Sequence, residues 1–280
     1  MRILCYEVYP VFLLFITHNN CVSSIIKQIK TLDKMDRYGI IGYPLGHSFS
    51  PGFFNEKFHN ERIDAIYEMY EIPQIDSITG IIESTPNLRG LNVTIPYKQK
   101  IIEYLDELSD EARNIGAVNV VRVIHKDNKI YTKGYNSDVI GFMRSIEPLI
   151  EKHHKKALIL GTGGASKAVE YGLQKLGLQT LKVSRYERPD TIQYENVTPD
   201  IIHEYNVIVN CTPLGMYPHV DTCPDLPYDC MDSHNLLYDL IYNPDETLFL
   251  KKGKASGAVV KNGLEMLLLQ AYASWEFWNE

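Results

Sequence analysis

Paired cysteines, a surplus of positive charge and a long apolar run are all missing from this chain, and each absence narrows the field. The five cysteines, Cys5, Cys21, Cys211, Cys223 and Cys230, are odd in number, and no two of them bracket just two residues. That pattern gives neither a zinc site nor a disulfide framework and fits a reducing cytoplasm. The nine histidines form no His-Glu-x-x-His motif, and no metal is expected. Acidic residues (35) outnumber basic ones (28), for a formal net charge of −7. A nucleic-acid binder carries the opposite footprint, so no nucleic-acid partner is expected. The apolar run from Tyr9 to Ile16 is too short to span a bilayer, which leaves no expected membrane partner. It also lacks the marks of a secretory signal. Only Arg2 precedes it, Glu7 intrudes, and no small-residue cleavage site follows. We read residues 1–34 as an N-terminal extension, disordered or a misassigned start, with Met35 as the natural first residue.

What remains is an ordinary globular composition. Hydrophobic residues make up 45% and charged residues 22% of 280 residues, enough for two modest domains with a real core. There is no internal repeat or low-complexity segment. From Tyr38 the chain alternates short apolar runs with helix-like segments. Tyr38–Gly42, Ala65–Tyr70 and Leu88–Thr94 read as strands. Pro51–Phe58, Ile75–Glu83 and Lys98–Leu105 read as helices, the first opened by its proline. The charged stretch Glu151–Lys156 reads as a solvated link between domains. Beyond it, Ala157–Leu160, Thr180–Ser184, Val207–Asn210 and Leu236–Leu240 read as strands, with a helix from the first of them to about Leu176 and Gly177 as its cap. The expected class is α/β, with a mostly parallel sheet in the first half and a Rossmann-like domain in the second.

Gly161-Thr162-Gly163-Gly164-Ala165-Ser166 lies between an expected strand and an expected helix, the context a dinucleotide fingerprint needs. The first glycine permits the tight turn and the second lets backbone approach a pyrophosphate. The helix start supplies free N–H groups and a positive dipole end. Ser166 stands at the third position, so the match is to the looser G-x-G-x-x-small form. After the second strand comes Ser184-Arg185-Tyr186-Glu187-Arg188. An NAD enzyme usually places an acid there for the ribose hydroxyls. Arg185 instead suits a 2′-phosphate, or stacks on adenine, and favours NADP.

In the first half, Ser48 and Ser50 flank Phe49. If that segment is extended, both hydroxyls face one carboxylate; Ser50 is equally suited to cap the following helix. In Asn92-Val93-Thr94-Ile95-Pro96-Tyr97-Lys98 a strand ends and a helix is expected to begin. Asn92 and Thr94 share a face. A lysine in a first helical turn opposes the helix dipole, so Lys98 is either a plain surface lysine or one held there for chemistry. Asn119 and Asp138 read as turn or cap residues or as ligands, and Gln270 as solvent-facing or aimed at a pocket.

Five ordered blocks together resemble the shikimate dehydrogenase family. They are Gly46–Pro51, Asn92–Lys98, the Gly161 turn, Asn210–Met216, and Asn262-Gly263-Leu264 through Gln270. The resemblance spans Tyr38 to Gln270 and implies reversible NADPH-dependent reduction of 3-dehydroshikimate to shikimate, on the route to chorismate and the aromatic amino acids. It implies Lys98 as catalytic lysine with Asp138 as its partner, and Ser48 and Ser50 on the substrate carboxylate. Asn92, Thr94, Asn119, Tyr242 and Gln270 would surround the ring hydroxyls. On the cofactor side it implies Gly161, Thr162, Gly163, Gly164, Ala165, Ser184, Arg185, Arg188, Thr212, Leu240 and Gly263, with Asp110 as a further position that is otherwise a helix cap. Ser184 departs from the asparagine usual before the arginine. The expected division is a substrate-binding domain at 35–138, completed by a C-terminal helix at 262–280, and an NADP-binding Rossmann domain at 139–261. A soluble cytoplasmic monomer or homodimer is expected. The alternatives are an NAD-using quinate/shikimate dehydrogenase and a non-catalytic binding protein on the same scaffold. The second of these should have lost Lys98 or Asp138, and both are present.

Overall fold

The structure, a computed structural model, describes residues 35–46 and 48–280. The reading of residues 1–34 lies outside them. The first half runs β1 (Asp36–Gly42), α1 (Phe49–Glu61), β2 (Ala65–Glu71), α2 (Ser77–Ser84), β3 (Leu88–Val93), β4 (Glu107–Leu108), α3 (Asp110–Ile115), β5 (Val120–Lys126), β6 (Lys129–Tyr135) and α4 (Ser137–Ile146). Its sheet has the order β2-β1-β3-β5-β6-β4. β1 pairs parallel with β2 and β3, whereas β5 runs antiparallel to both β3 and β6.

That β5–β6 hairpin was not expected from the sequence. Its signal is there, though. Asp127 and Asn128, at the tip, both adopt left-handed backbone (φ 53° and 58°). Two consecutive positive φ values are what a two-residue hairpin turn requires, and Asp and Asn tolerate them.

Three other readings are corrected. Lys98 does not open a helix: it lies in a turn, and only a short 3-10 segment, Lys100–Tyr104, follows. The Lys98 carbonyl accepts the Val118 N–H at 2.7 Å instead of an N–H one helical turn on. The helix read from Pro51 starts at Phe49 and runs to Glu61, so Ser48 rather than Ser50 is its N-cap position, and neither hydroxyl caps it. The stretch 151–156 is not wholly solvated, because His154 is buried, with Nδ1 accepting the Glu151 N–H at 2.9 Å.

The second half runs β7 (Lys156–Leu160), α5 (Gly164–Lys175), β8 (Gln179–Ser184), β9 (Thr191–Gln193), α6 (Pro199–Glu204), β10 (Val207–Asn210), β11 (Leu236–Asp239), α7 (Leu248–Ala255), β12 (Val259–Lys261) and α8 (Leu264–Trp278). All its strand pairs are parallel, in the order β12-β11-β10-β7-β8-β9. This is the doubly wound order of dinucleotide-binding sheets, and it reverses between β7 and β10. Ala157 to Leu160 in β7 are fully buried, as a central strand covered by helices on both faces must be.

α8 leaves the second sheet and packs back on the first. Its apolar side meets α4 along its length. Trp278 sits among Tyr38, Phe54 and Tyr67, with ring centroids 4.9, 5.1 and 6.3 Å away. Its indole N–H donates to the Val121 carbonyl at 3.1 Å. Burying a side chain of this size stabilises by roughly 2–3 kcal/mol, so the aromatic cluster anchors the helix. The carboxyl ends of both sheets then face a single cleft.

Candidate active site

The glycine turn follows β7 directly. Gly161 has φ +104°, a left-handed value open to glycine but strained for other residues. A Cβ there would also stand 3.1 Å from the Thr212 methyl and 3.3 Å from the Cys211 carbonyl, so the turn fits tightly against the loop after β10. Gly163 borders open space. α5 begins next, with no side chain capping its first turn and no acidic residue in it. Its leading N–H groups and dipole are thus left for an anion at the switch point of the sheet.

Lys98 lies in the turn after β3, facing the start of α5. A Cβ on Gly164 would be 3.3 Å from Lys98 Cβ, so the start of α5 and the lysine are neighbours. Lys98 Nζ donates to Asp138 Oδ2 at 2.6 Å. Both side chains are mostly shielded, at 16% and 9% exposure, with part of each still open to the cleft. Asp138 stands in the first turn of α4, where the helix dipole favours a carboxylate. Its Oδ1 accepts from Asn119 Nδ2 at 2.8 Å. A lysine so close to a carboxylate, in a partly dry cleft, is a fixed donor rather than a mobile surface charge.

The cleft has a volume of about 520 Å³. Ser48, Ser50, Asn92, Thr94, Lys98, Asn119, Asp138, Tyr242 and Gln270 all line it, so every residue expected around the ring is brought together. Ala165, Leu240 and Gly263 reach it from the second sheet. The two serines face it although their segment is not extended, because the chain turns into α1 between them. Phe49 and Tyr242 meet edge-on, centroids 6.5 Å apart, on the rim. A wider polar groove of about 620 Å³ opens elsewhere, between the end of α2 and the β5–β6 turn, and none of the sequence motifs reaches it.

The remaining residues expected on the cofactor side do not line the cleft. Arg185 and Arg188 are exposed after β8, and the Arg185 guanidinium rests 5.7 Å from the Tyr186 ring centroid. Ser184 is buried and its hydroxyl accepts the Tyr186 N–H at 3.2 Å. Asp110 is an exposed residue at the start of α3, next to the cap Ser109. Thr212 donates through both its N–H and its hydroxyl to Asn210 Oδ1, at 3.0 and 2.6 Å.

Four residues escaped the sequence reading. Tyr67, Ser137 and Ser274 are buried beneath the cleft and hydrogen-bond its asparagines. Asp239 is fully buried at the end of β11. It accepts from Asn210 at 3.0 Å, the Ile241 N–H at 3.1 Å and the Thr247 hydroxyl at 2.6 Å. It thereby joins the Thr212 loop to the Leu240 loop and α7. Burial pushes its carboxyl up to about 6, against the pull of those hydrogen bonds. A polar residue at the carboxyl end of a buried strand is a weak hint for Asp239. Ser137 and Ser274 carry no local signal at all.

The strand order, the glycine turn and the shared cleft define a dinucleotide-binding α/β protein with a second sheet presenting polar groups to the same site. A family model described as the shikimate dehydrogenase substrate binding domain matches residues 40–121. A shikimate dehydrogenase (NADP(+)) of Clostridium beijerinckii is 41% identical over 258 residues, covering 88% of this chain and 93% of its own. The crystal structure of shikimate dehydrogenase from Aquifex aeolicus aligns with a TM-score of 0.76 at 34% identity, over 88% of this chain and 93% of that one. The Thermus thermophilus shikimate 5-dehydrogenase in complex with NADP(H) and shikimate gives a TM-score of 0.75 at 29% identity, over 87% and 93%. The chain belongs to the shikimate dehydrogenase family.

Proposed function

We propose that this chain catalyses the reversible NADPH-dependent reduction of 3-dehydroshikimate to shikimate. The observation that carries the reading is the Lys98–Asp138 pair, at 2.6 Å, standing beside the start of the dinucleotide helix. NADPH, when bound, supplies the hydride that the ring ketone takes up. The chain's own groups handle charge and proton. Negative charge develops on the C3 oxygen, and the Lys98 ammonium stabilises it and donates a proton there. In the oxidation direction neutral Lys98 takes that proton back. Asp138 holds the lysine in place and accepts from the neighbouring ring hydroxyl. Ser48 and Ser50 bind the ring carboxylate through their hydroxyls at the far end of the cleft.

The residues present fit NADP. The turn at Gly161 to Ala165 and the uncapped start of α5 suit the pyrophosphate. Neither Ser184 nor Arg185 is acidic, and an exposed guanidinium after β8 is free to meet a 2′-phosphate in a bidentate contact. Thr212, Leu240 and Gly263 lie on the nicotinamide side. Arg188 would back Arg185, and Asp110 would lie at the far margin of the cofactor. We divide the chain into a substrate domain at 35–138 completed by 262–280, and a cofactor domain at 139–261. The enzyme is read as a cytoplasmic monomer or homodimer. Among the described residues no helix is long and apolar enough to cross a membrane.

The test is a steady-state assay that follows the near-ultraviolet absorbance of reduced nicotinamide with shikimate, using NADP and NAD in separate reactions. Turnover with shikimate and a strong preference for NADP is the expected result. Equal use of NAD would favour the quinate/shikimate reading, and no turnover with either cofactor would remove the proposal.

A further inference from the structure

The two amides on the floor of the cleft have no N–H left to offer a ligand. Asn119 Nδ2 donates to Ser137 Oγ at 2.9 Å and to Asp138 Oδ1 at 2.8 Å. Its Oδ1 accepts the Ser137 backbone N–H at 2.6 Å. A carboxylate only accepts and a backbone N–H only donates, so this amide has a single orientation. Asn92 Nδ2 donates to the Asn119 carbonyl at 3.3 Å and to Ser274 Oγ at 3.0 Å. Its Oδ1 accepts the Tyr67 hydroxyl at 2.8 Å. The backbone carbonyl again decides which end is nitrogen. Each amide therefore keeps one free lone pair on Oδ1 and no free donor.

Ser274 completes this arrangement from α8. Its side chain is fully buried, and its own proton goes to the Gln270 carbonyl at 2.8 Å. Its oxygen can then only accept, from Asn92 and from the Ser137 hydroxyl at 3.0 Å, which also reaches Gln270 Oε1 at 3.4 Å. The Ser137 oxygen in turn takes up an N–H of Asn119.

We propose that Ser274 is a positioning residue which, with Ser137, holds Asn92 and Asn119 as pure hydrogen-bond acceptors, so that the cleft demands O–H donors at those amides and takes a carbonyl only at Lys98. The inference rests on the reading of this cleft as the ring site. It explains how a ring bearing one carbonyl and several hydroxyls is oriented. A carbonyl turned toward either amide would set lone pair against lone pair, with no donor able to rotate in. A carbonyl at Lys98 meets an ammonium that gives only one of its protons to Asp138. The reacting position is thus chosen by what the amides refuse as much as by what the lysine attracts.

The experiment compares the wild type with Ser274→Ala, a smaller side chain. Substrates are shikimate and the two shikimates in which one non-reacting hydroxyl is replaced by fluorine, which accepts but cannot donate. For the wild type, at least one fluorinated compound should raise KM on the order of tenfold to a hundredfold, the usual effect of a buried polar group left unpaired. In Ser274→Ala the second N–H of Asn92 loses its acceptor and is left to donate to a group in the cleft, while the Asn119 and Tyr67 contacts stay. The KM ratio of fluorinated compound to shikimate should then narrow at least threefold, with kcat for shikimate within about twofold of wild type. A purely structural role would lower the melting temperature and leave that ratio alone. A ratio equal to the wild type's, or a wild-type ratio near one, overturns the inference whatever the melting temperature does. If the wild type turns over shikimate and the ratio test fails, only this inference falls. If the wild type turns over no shikimate, the functional reading falls first and this one with it.

Discussion

Lys98 and Asp138 hold one another at 2.6 Å while staying open to the cleft, so either can be changed without gutting a core. Lys98→Met should fold, bind shikimate with similar affinity, and lose two or more orders of magnitude in kcat, the scale of a missing general acid. Steady-state kinetics checks this, and near-full turnover would move the chemistry to another group. The serines make a different prediction, because the proposed reading puts them on the carboxylate, remote from the reacting carbon. Contacts of that kind would act equally in ground and transition states. Changing both Ser48 and Ser50 to Ala should raise KM for shikimate far more than it lowers kcat. Helix loss is not a competing explanation, since neither hydroxyl caps α1. Arg185 is exposed and makes no ion pair among the described residues. Arg185→Ala should therefore leave stability unchanged and weaken NADP roughly a hundredfold, at about 1.5–3 kcal/mol per charge-assisted bond, while hardly affecting NAD. Binding titrations with the two cofactors decide it. Equal losses would reduce Arg185 to a stacking platform for adenine.

At the level of elements, the close pairing of α4 with α8 determines where Gln270 stands. A Cβ on Gly141 would come within 2.6 Å of the Met266 carbonyl and 3.0 Å of Gln270 Cβ and N. Alanine favours a helix over glycine by up to about 1 kcal/mol. Pushing a backbone carbonyl aside costs about 1–3 kcal/mol, and the carbonyl cannot move alone. Gly141→Ala should lower the melting temperature and raise KM for shikimate by shifting α8. A stabilised variant with unchanged kinetics would refute the close approach. The same scale explains what the sequence made legible. The glycine turn and the Asn92–Lys98 run were readable because each function sits in consecutive residues with its own punctuation. Lys98 reads as helical because nothing local shows that its carbonyl is taken by the N–H of Val118, in a distant part of the chain. The β5–β6 hairpin is hard to read in the sequence because Val120 and Val121, both buried, blur its alternation. Ser137 and Ser274, 137 positions apart, meet only through tertiary packing. No local pattern marks them.

For the molecule as a whole, Asp239 makes stability depend on pH in an unusual direction. Its carboxyl is raised from 3.8 to about 6, so between those values the folded state holds a proton that the unfolded chain releases. Its contribution is fully present below about 4 and is lost as pH rises through about 6. Relative to wild type, Asp239→Asn should gain stability across that window and then level off, by on the order of 2–3 kcal/mol at about 1.4 kcal/mol per unit. Urea unfolding of both proteins from mildly acidic to neutral pH measures the difference. A constant gap would mean that the carboxyl titrates normally.

The return of α8 to the first sheet also has a temporal side. Asn92 and Ser274 are 182 positions apart, and the whole cofactor sheet is made between them. During vectorial synthesis the floor of the cleft waits for the helix that closes it. Until then the aromatic face around Tyr38, Phe54 and Tyr67 stands bare beside the ribosome. Contacts of such long reach form slowly and leave the nascent half prone to aggregate. Emergence of α8, rather than folding of the first half, is the step at which this cleft comes into being.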